Sequence, residues 1–189
     1  GSGVVISQRM DATASGGSTP FSTVTDQASV TVTGVNDAPV LAAGTSTLPS
    51  MTEDDINNAG QTVASFLGAN STDVDSGALS GIAVTGLDSG NGRWQFRLDG
   101  YSDWQDAGAV SSTNALLLGA SDYIRFVPNG LNATTGSIDY RAWDQTSGTA
   151  GTKTDASSNG GTSAFSTVQR TASLTVVDAV NDAPVLTPA

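Results

Sequence analysis

The stretch Trp94-Gln95-Phe96-Arg97-Leu98-Asp99-Gly100-Tyr101-Ser102-Asp103-Trp104 decides the fold class of this chain. Apolar and polar side chains alternate from Trp94 to Leu98, which is typical of a β-strand with one apolar face. Asp99-Gly100 is a dipeptide favoured in hairpin turns. We therefore predict a hairpin that carries one tryptophan on each arm.

Similar alternation recurs along the sequence. It predicts further strands at residues 28–33, 82–84, 116–118, 124–126, 138–143 and 172–176. Clusters of Gly, Asn, Asp and Ser separate these runs and supply turn residues. Many short strands at such spacing indicate an all-β fold, an antiparallel β-sandwich. Two segments differ: residues 61–67 predict a short helical turn, and residues 146–163, poor in apolar side chains, predict a long exposed loop.

A heptapeptide is repeated near the two ends of the chain. Val-Asn-Asp-Ala-Pro-Val-Leu occupies residues 35–41 and again residues 180–186. The similarity extends upstream, because Phe-Ser-Thr-Val at residues 21–24 matches residues 165–168, and Gly16-Gly17 matches Gly160-Gly161. Such self-similarity is the signature of a repeat architecture.

The repeat predicts three parts of a tandem array. Residues 1–34 correspond to the C-terminal strands of a preceding module, residues 35–180 to a complete module, and residues 181–189 to the start of the next one. Because an isolated pair of strands is marginal in water, we expect residues 1–34 to form strands that pair with the intact module or with a neighbouring copy.

Composition excludes several functions. The 189 residues include no Cys and no His, which removes disulfides, thiolate chemistry and histidine-based catalysis or metal binding. With 18 acidic and 7 basic residues the net charge is −11, so nucleic acid is not expected as a partner. No apolar run is long enough for a membrane span, and insertion into a membrane is not expected. No P-loop, nucleophile elbow or zinc signature is present, so we do not expect an enzyme.

Grouped carboxylates make divalent cations natural partners for this chain. Calcium takes six to eight oxygen ligands from carboxylates, amides and carbonyl groups, and Asp-x-Asp places two carboxylates on one segment. The groups are Asn36-Asp37, Glu53-Asp54-Asp55, Asp73-Val74-Asp75, Asp144, Asp178 and Asn181-Asp182. Asp and Asn are also ordinary turn and capping residues, so any one of these groups alone indicates little.

These motifs together resemble the bacterial cadherin-like repeats of large secreted RTX-type adhesins. The matching pieces are residues 35–41, 52–54, 72–79, 125–128 and 140–144, and the likeness covers the chain from about residue 9 onward. The resemblance implies a Greek-key sandwich of the cadherin or immunoglobulin kind, with calcium bound at the junctions between modules. It implies an upper site of Asn36, Asp37, Asp73, Asp75 and Asp144. It implies a lower site of Glu53, Asp54, Asp178, Asn181 and Asp182, which the next module would complete.

The first linker departs from the family pattern. It lacks the leading Asp that Asp178 supplies in the second linker, so the number of ions at the first junction stays open.

The resemblance implies a structural and adhesive role outside the cell, at a bacterial surface. Calcium would stiffen the junctions between adjacent repeats of the same chain, with a host or biofilm glycan or protein as a further partner. The alternative is a carbohydrate-binding module that uses Trp94, Tyr101 and Trp104 as a stacking platform, although paired tryptophans on a hairpin often pack on the core. Exposure of both tryptophans would favour that alternative.

Overall fold

Two β-sheets carry the fold from Val35 onward. The computed structural model describes residues 11–179, and the chain divides into two units with the boundary between Gly34 and Val35. The elements of the second unit are β1 Val40–Leu41, β2 Thr45–Thr47, β3 Met51–Thr52, β4 Gln61–Thr62, α1 Val63–Leu67, β5 Ser71–Thr72, β6 Gly81–Asp88, β7 Gly92–Arg97, β8 Gln105–Asp106, β9 Ala115–Gly119, β10 Tyr123–Pro128, β11 Thr134–Trp143, β12 Lys153–Thr154 and β13 Phe165–Val177.

The larger sheet has the strand order β12-β9-β6-β11-β13-β2, and β3 also pairs with β13. Its long strands are antiparallel, whereas β2 and β3 run parallel to β13. The smaller sheet has the order β4-β10-β7-β8, and β1 pairs with β5 in a separate two-stranded ribbon. The predicted all-β sandwich is therefore confirmed, while the Greek-key connectivity stays a prediction.

Apolar side chains from both sheets meet in one core. The larger sheet contributes alternate residues of β6, β9, β11 and β13, such as Ile82, Tyr140 and Leu174. The smaller sheet contributes Trp94 and Phe126, whose rings pack edge to face with centroids 5.2 Å apart. Burying each large apolar side chain contributes about 1.5–3 kcal/mol, so the period-2 pattern that predicts these strands also supplies the driving force for the fold.

The predicted helical turn is α1, which closes one side of the core. Val63, Phe66 and Leu67 are its buried residues, at the spacing expected for one face of a helix. The ring of Phe66 meets Tyr140 edge to face at 5.5 Å. Gly68 ends the helix with a positive φ of 45°, which favours glycine.

The prediction of a long exposed loop at residues 146–163 is wrong in part. Ala156 is fully buried, and a second small core forms around Trp143, Leu117 and Phe165. The backbone of this segment bonds to β9 through β12, and the indole of Trp143 donates to the Ser147 carbonyl oxygen at 2.7 Å. The segment therefore covers the outer face of the larger sheet, because Ala83 and Leu117 point outward and need shielding from water.

The prediction of a strand at residues 28–33 is not met in this structure. Residues 11–34 contain no strand, and Val30 and Val32 are each 88% exposed. A strand needs a partner for its backbone hydrogen bonds, and none is formed here. Whether another copy supplies one stays a prediction.

Candidate functional site

The linker at Asn36 is fixed to the end of the second unit at which β11 ends and β13 begins. The side-chain amide of Asn36 donates to Asp144 Oδ2 at 2.9 Å, and to the carbonyl oxygens of Thr162 and Ser163 at 3.4 and 3.3 Å. The backbone N–H of Ala38 donates to the Gly161 carbonyl oxygen at 2.8 Å. One turn, residues 160–163, therefore receives the linker.

Asp144 follows β11 directly and is 2% exposed. Its other oxygen, Oδ1, accepts from the backbone N–H and the hydroxyl group of Thr146 at 2.8 and 2.6 Å. A buried carboxylate needs such donors, because an unpaired charge away from water is costly. The Thr146 bonds hold Asp144 in position, so that Oδ2 faces the linker.

Asp75 contacts the linker at Asp37, and Asp73 contacts Asp75. The backbone N–H of Asp37 donates to Asp75 Oδ2 at 2.8 Å, and the backbone N–H of Asp75 donates to Asp73 Oδ1 at 2.9 Å. The second oxygen of Asp73, Oδ2, is inaccessible to solvent and has no hydrogen-bond partner in the part of the chain that the structure describes. The five predicted upper-site residues thus form two hydrogen-bonded groups, which are joined only through the neighbouring residues Asn36 and Asp37 of the linker. We call the five residues together the linker cluster: Asn36, Asp37, Asp73, Asp75 and Asp144.

The charge of the linker cluster is not balanced by basic side chains. None of its four carboxylates forms a salt bridge with a Lys or Arg among residues 11–179. Within the same residues, no three Asp, Glu, His or Cys side chains are placed so that they alone could hold a metal ion. A cation at this position would need amide and carbonyl oxygens as well, which is the mixed ligand set that calcium accepts.

Three of the predicted lower-site residues, Glu53, Asp54 and Asp178, lie at the opposite end of β13. Glu53 is 1% exposed, and both of its carboxylate oxygens accept from the backbone N–H of Ala179 at 2.8 Å. Asp178 Oδ1 accepts from the backbone N–H of Ala133 at 2.6 Å. Asp54 is exposed. Asn181 and Asp182 lie outside the described residues.

The predicted hairpin is confirmed, but its two tryptophans lie on opposite faces of the smaller sheet. β7 pairs with β8 in the register Gln95 with Asp106, which places Trp104 beside Arg97 on the outer face. Trp94 is 3% exposed, and its indole N–H donates to the Asp88 carbonyl oxygen at 2.8 Å. The stacking platform that includes Trp94 is therefore wrong, because that ring belongs to the core.

Trp104 and Tyr101 remain outside the core. Tyr101 is 68% exposed, whereas Trp104 is half-buried with the Arg125 guanidinium 4.2 Å from its ring centroid. Partial burial, followed by the nearby charges of Arg93 and Arg97, lowers the pKa of Arg125. The contact with Trp104 offsets part of that repulsion through a cation–π interaction, which gives this ring a structural role.

The sequence did not point to the carbonyl oxygens of Thr162 and Ser163 as partners of Asn36. Every residue carries a carbonyl group, so side-chain chemistry holds no signal for them. The repeated Gly16-Gly17 and Gly160-Gly161 pairs were the available signal, because two adjacent glycines with positive φ mark a fixed turn.

Comparison with known proteins found no matching family model, no curated relative and no similar solved structure. No helix within residues 11–179 is long and apolar enough to cross a membrane.

Proposed function

We propose that the second unit is a calcium-binding structural repeat of a large bacterial surface or secreted adhesin, in which calcium stiffens the junction at the linker. The observation that carries the proposal is Asp73 Oδ2, a carboxylate oxygen that is shielded from water and has no hydrogen-bond partner within residues 11–179, next to Asp75, which accepts a hydrogen bond from the linker.

An unsatisfied buried carboxylate oxygen costs free energy, typically about 1–3 kcal/mol or more for a charged group. Native structures rarely leave such a group without a partner. A divalent cation would satisfy this oxygen and would also reduce the repulsion between the nearby carboxylates of Asp73 and Asp75. Asn36 adds an amide oxygen to the possible ligands, and the Thr162 and Ser163 carbonyl groups lie within hydrogen-bonding distance of its side chain.

The position of the linker cluster explains why a bound cation would stiffen the junction at the linker. Asn36 and Asp37 belong to the linker, whereas Asp73, Asp75 and Asp144 belong to the body of the unit. A cation shared between them would add to the direct hydrogen bonds that already join linker and body. The direction in which the chain enters the unit would then be fixed more firmly.

A second junction would use Glu53 and Asp178 at the far end of β13. The 13 residues of β13 span roughly 40 Å at about 3.3 Å per residue. Cations at both ends would therefore be separated by the full length of the sandwich, as expected for a repeat that joins neighbours end to end. We do not propose the carbohydrate-binding alternative, because Trp94 is not accessible.

The test is thermal unfolding in EDTA, in 5 mM calcium and in 5 mM magnesium. Binding to the folded state alone stabilises it by about 2.7 kcal/mol when the ligand is at 100 times its dissociation constant. We expect calcium to raise the unfolding midpoint by several degrees and magnesium to have a smaller effect.

Asp73→Asn and Asp75→Asn should remove most of the calcium effect, because each removes a charged ligand without changing side-chain volume. Asp103→Asn is the matched control, since Asp103 is exposed on the β7–β8 loop. The proposal fails if calcium leaves the midpoint unchanged, or if Asp73→Asn responds to calcium as strongly as Asp103→Asn.

A further inference from the structure

Residues 21–33 repeat the sequence of β13 without its structure; we call them the β13-like segment. Six positions of β13 are buried: Phe165, Ser166, Arg170, Ala172, Leu174 and Val176. The corresponding residues of the β13-like segment are Phe21, Ser22, Asp26, Ala28, Val30 and Val32. Five of the six match in size and polarity, and only the pair of Arg170 and Asp26 reverses charge.

Arg170 attaches β13 to its own module. It is 7% exposed, and its guanidinium donates to the carbonyl oxygens of Ala42 at 2.7 Å, Ala43 at 3.3 Å and Thr45 at 3.0 Å. It also donates to the hydroxyl group of Ser46 at 3.3 Å. These acceptors belong to the connection between β1 and β2 and to β2 itself, so Arg170 holds the edge of the larger sheet to β13.

An aspartate at the position of Arg170 could not form these hydrogen bonds. A carboxylate only accepts hydrogen bonds, and the groups around the Arg170 guanidinium include three carbonyl oxygens that also only accept. Those carbonyl oxygens would lose their donor, and a buried negative charge would lie beside them without a counter-charge.

We propose that the residue at this position decides which module a β13-type strand can enter. Arg170 directs β13 into its own module, and Asp26 excludes the β13-like segment from the same place, in its own chain or in a second copy. The segment is otherwise well suited to that place, because Ala28, Val30 and Val32 reproduce the apolar face that β13 buries. Without a mismatch, similar strands in tandem modules could exchange and trap the chain in misassembled forms.

The β13-like segment fits a partner of defined chemistry. It is a β-sandwich module of the same kind that presents a hydrogen-bond donor or a cation opposite Asp26, in place of the carbonyl oxygens that face Arg170 here. The proposal does not depend on calcium, because the groups that Arg170 binds lie outside the linker cluster.

Disulfide trapping in the full chain tests the proposal, because the natural sequence contains no Cys. Ser137 of β11 pairs with Ser173 of β13, and Ser29 is the counterpart of Ser173. In the variant Ser137→Cys with Ser173→Cys, a disulfide between residues 137 and 173 forms when β13 occupies its own place beside β11. In the variant Ser137→Cys with Ser29→Cys, a disulfide between residues 29 and 137 forms when the β13-like segment occupies that place instead. Each protein is unfolded, refolded and oxidised in EDTA, and non-reducing gels separate crosslinks within a chain from those between chains.

We expect the 137–173 crosslink to form in most molecules and the 29–137 crosslink in few. Adding Asp26→Arg should raise the 29–137 crosslink about tenfold, the change expected from restoring one charge-assisted hydrogen bond. Asp26→Asn is the charge-removal control and should give a smaller rise. Adding Arg170→Asp to Asp26→Arg should raise the crosslink further.

The proposal would be overturned if Asp26→Arg left the yield of the 29–137 crosslink unchanged. It would also be overturned if, in the chain that keeps Asp26, the 29–137 crosslink formed as often as the 137–173 crosslink. Asp26 is exposed, so Asp26→Arg should leave the module folded. This is checked by the 137–173 crosslink in the same background. If Arg170→Asp prevents refolding, the 29–137 crosslink yields of Asp26→Arg and Asp26→Asn are sufficient to test the proposal.

Discussion

Residues 11–24 and 155–168 show how much local structure a few side chains specify by themselves. In both segments a glycine N–H donates to a phenylalanine carbonyl oxygen at 2.8 Å: Gly16 to Phe21, and Gly160 to Phe165. The φ angles of the glycine pairs agree closely, at 78° and 60° in the first segment and 74° and 58° in the second. The second turn receives the linker, whereas the first belongs to a segment without strands. The turn therefore follows from its own residues and does not need the sandwich.

The pKa values of Asp11 and Asp155 test whether the first turn forms in solution. Hydrogen bonds from Thr13, first from its backbone N–H, lower the pKa of Asp11, and hydrogen bonds from Ser157, first from its hydroxyl group, lower that of Asp155. A lowered pKa in the folded state means that the stabilisation is present above the ordinary pKa and is lost as the pH falls through the lowered value. We expect NMR titration to show both carboxyl groups below their ordinary value of 3.8.

Two substitutions refine this test. Ser157→Ala should raise the pKa of Asp155 more than Thr13→Ala raises that of Asp11, because the hydroxyl group is the larger cause only for Asp155. If Asp11 titrates at its ordinary value while Asp155 does not, the first turn is not formed independently.

Among the elements, the segment of residues 146–163, which covers the outer face of the larger sheet and which we call the cover, differs most from the sequence-based expectation. It shields a second apolar surface on the outer face of the larger sheet. Its backbone forms two hydrogen bonds with Leu117 of β9. The Leu117 N–H donates to the Thr152 carbonyl oxygen at 3.0 Å, and the Gly151 N–H donates to the Leu117 carbonyl oxygen at 2.8 Å. The cover therefore acts as an additional layer of the fold.

Ala156→Glu should detach part of this cover. Ala156 is fully buried, and burying a carboxylate without a partner is costly, so we expect a loss of about 2–4 kcal/mol in the free energy of unfolding measured in urea. The chain offers a matched control in Ala12→Glu, since Ala12 is the counterpart of Ala156 and is exposed. Equal stability of the two variants would show that the cover does not pack in solution.

The long strands were predictable because alternation of apolar and polar residues marks β6, β7, β10, β11 and β13 directly. The cover was not predictable, because Ala150 and Ala156 are single apolar residues among polar ones and form no periodic hydrophobic pattern. The linker cluster was predicted only through the resemblance to cadherin-like repeats. Asn36 and Asp144 are too far apart in sequence for spacing to relate them, and only the pairing of β11 with β13 brings Asp144 beside the turn that receives the linker.

At the level of the whole molecule, the net charge of −11 opposes compaction. Screening by salt reduces this repulsion, since the Debye length falls from about 10 Å at 0.1 M to about 3 Å at 1 M ionic strength. Bound calcium would act differently, because it would neutralise one cluster and would not screen all charges equally.

We therefore expect two separable effects on thermal unfolding. In EDTA, raising sodium chloride from 0.05 to 0.5 M should raise the midpoint by a few degrees in the natural sequence and in Asp73→Asn alike. Calcium at 5 mM should raise it further in the natural sequence and much less in Asp73→Asn. If sodium chloride lowers the midpoint, repulsion among the carboxylates is not a significant term in the stability of this chain.

The docking of Asn36 and Ala38 onto Asp144 and the turn at residues 160–163 has a consequence for the order of events during synthesis. The partners of the linker are made more than a hundred residues after it. As the chain is synthesised, the linker would stay loose until residues 160–163 and the start of β13 have been made. The direction in which the linker enters the second unit would then be among the last features of that unit to be established.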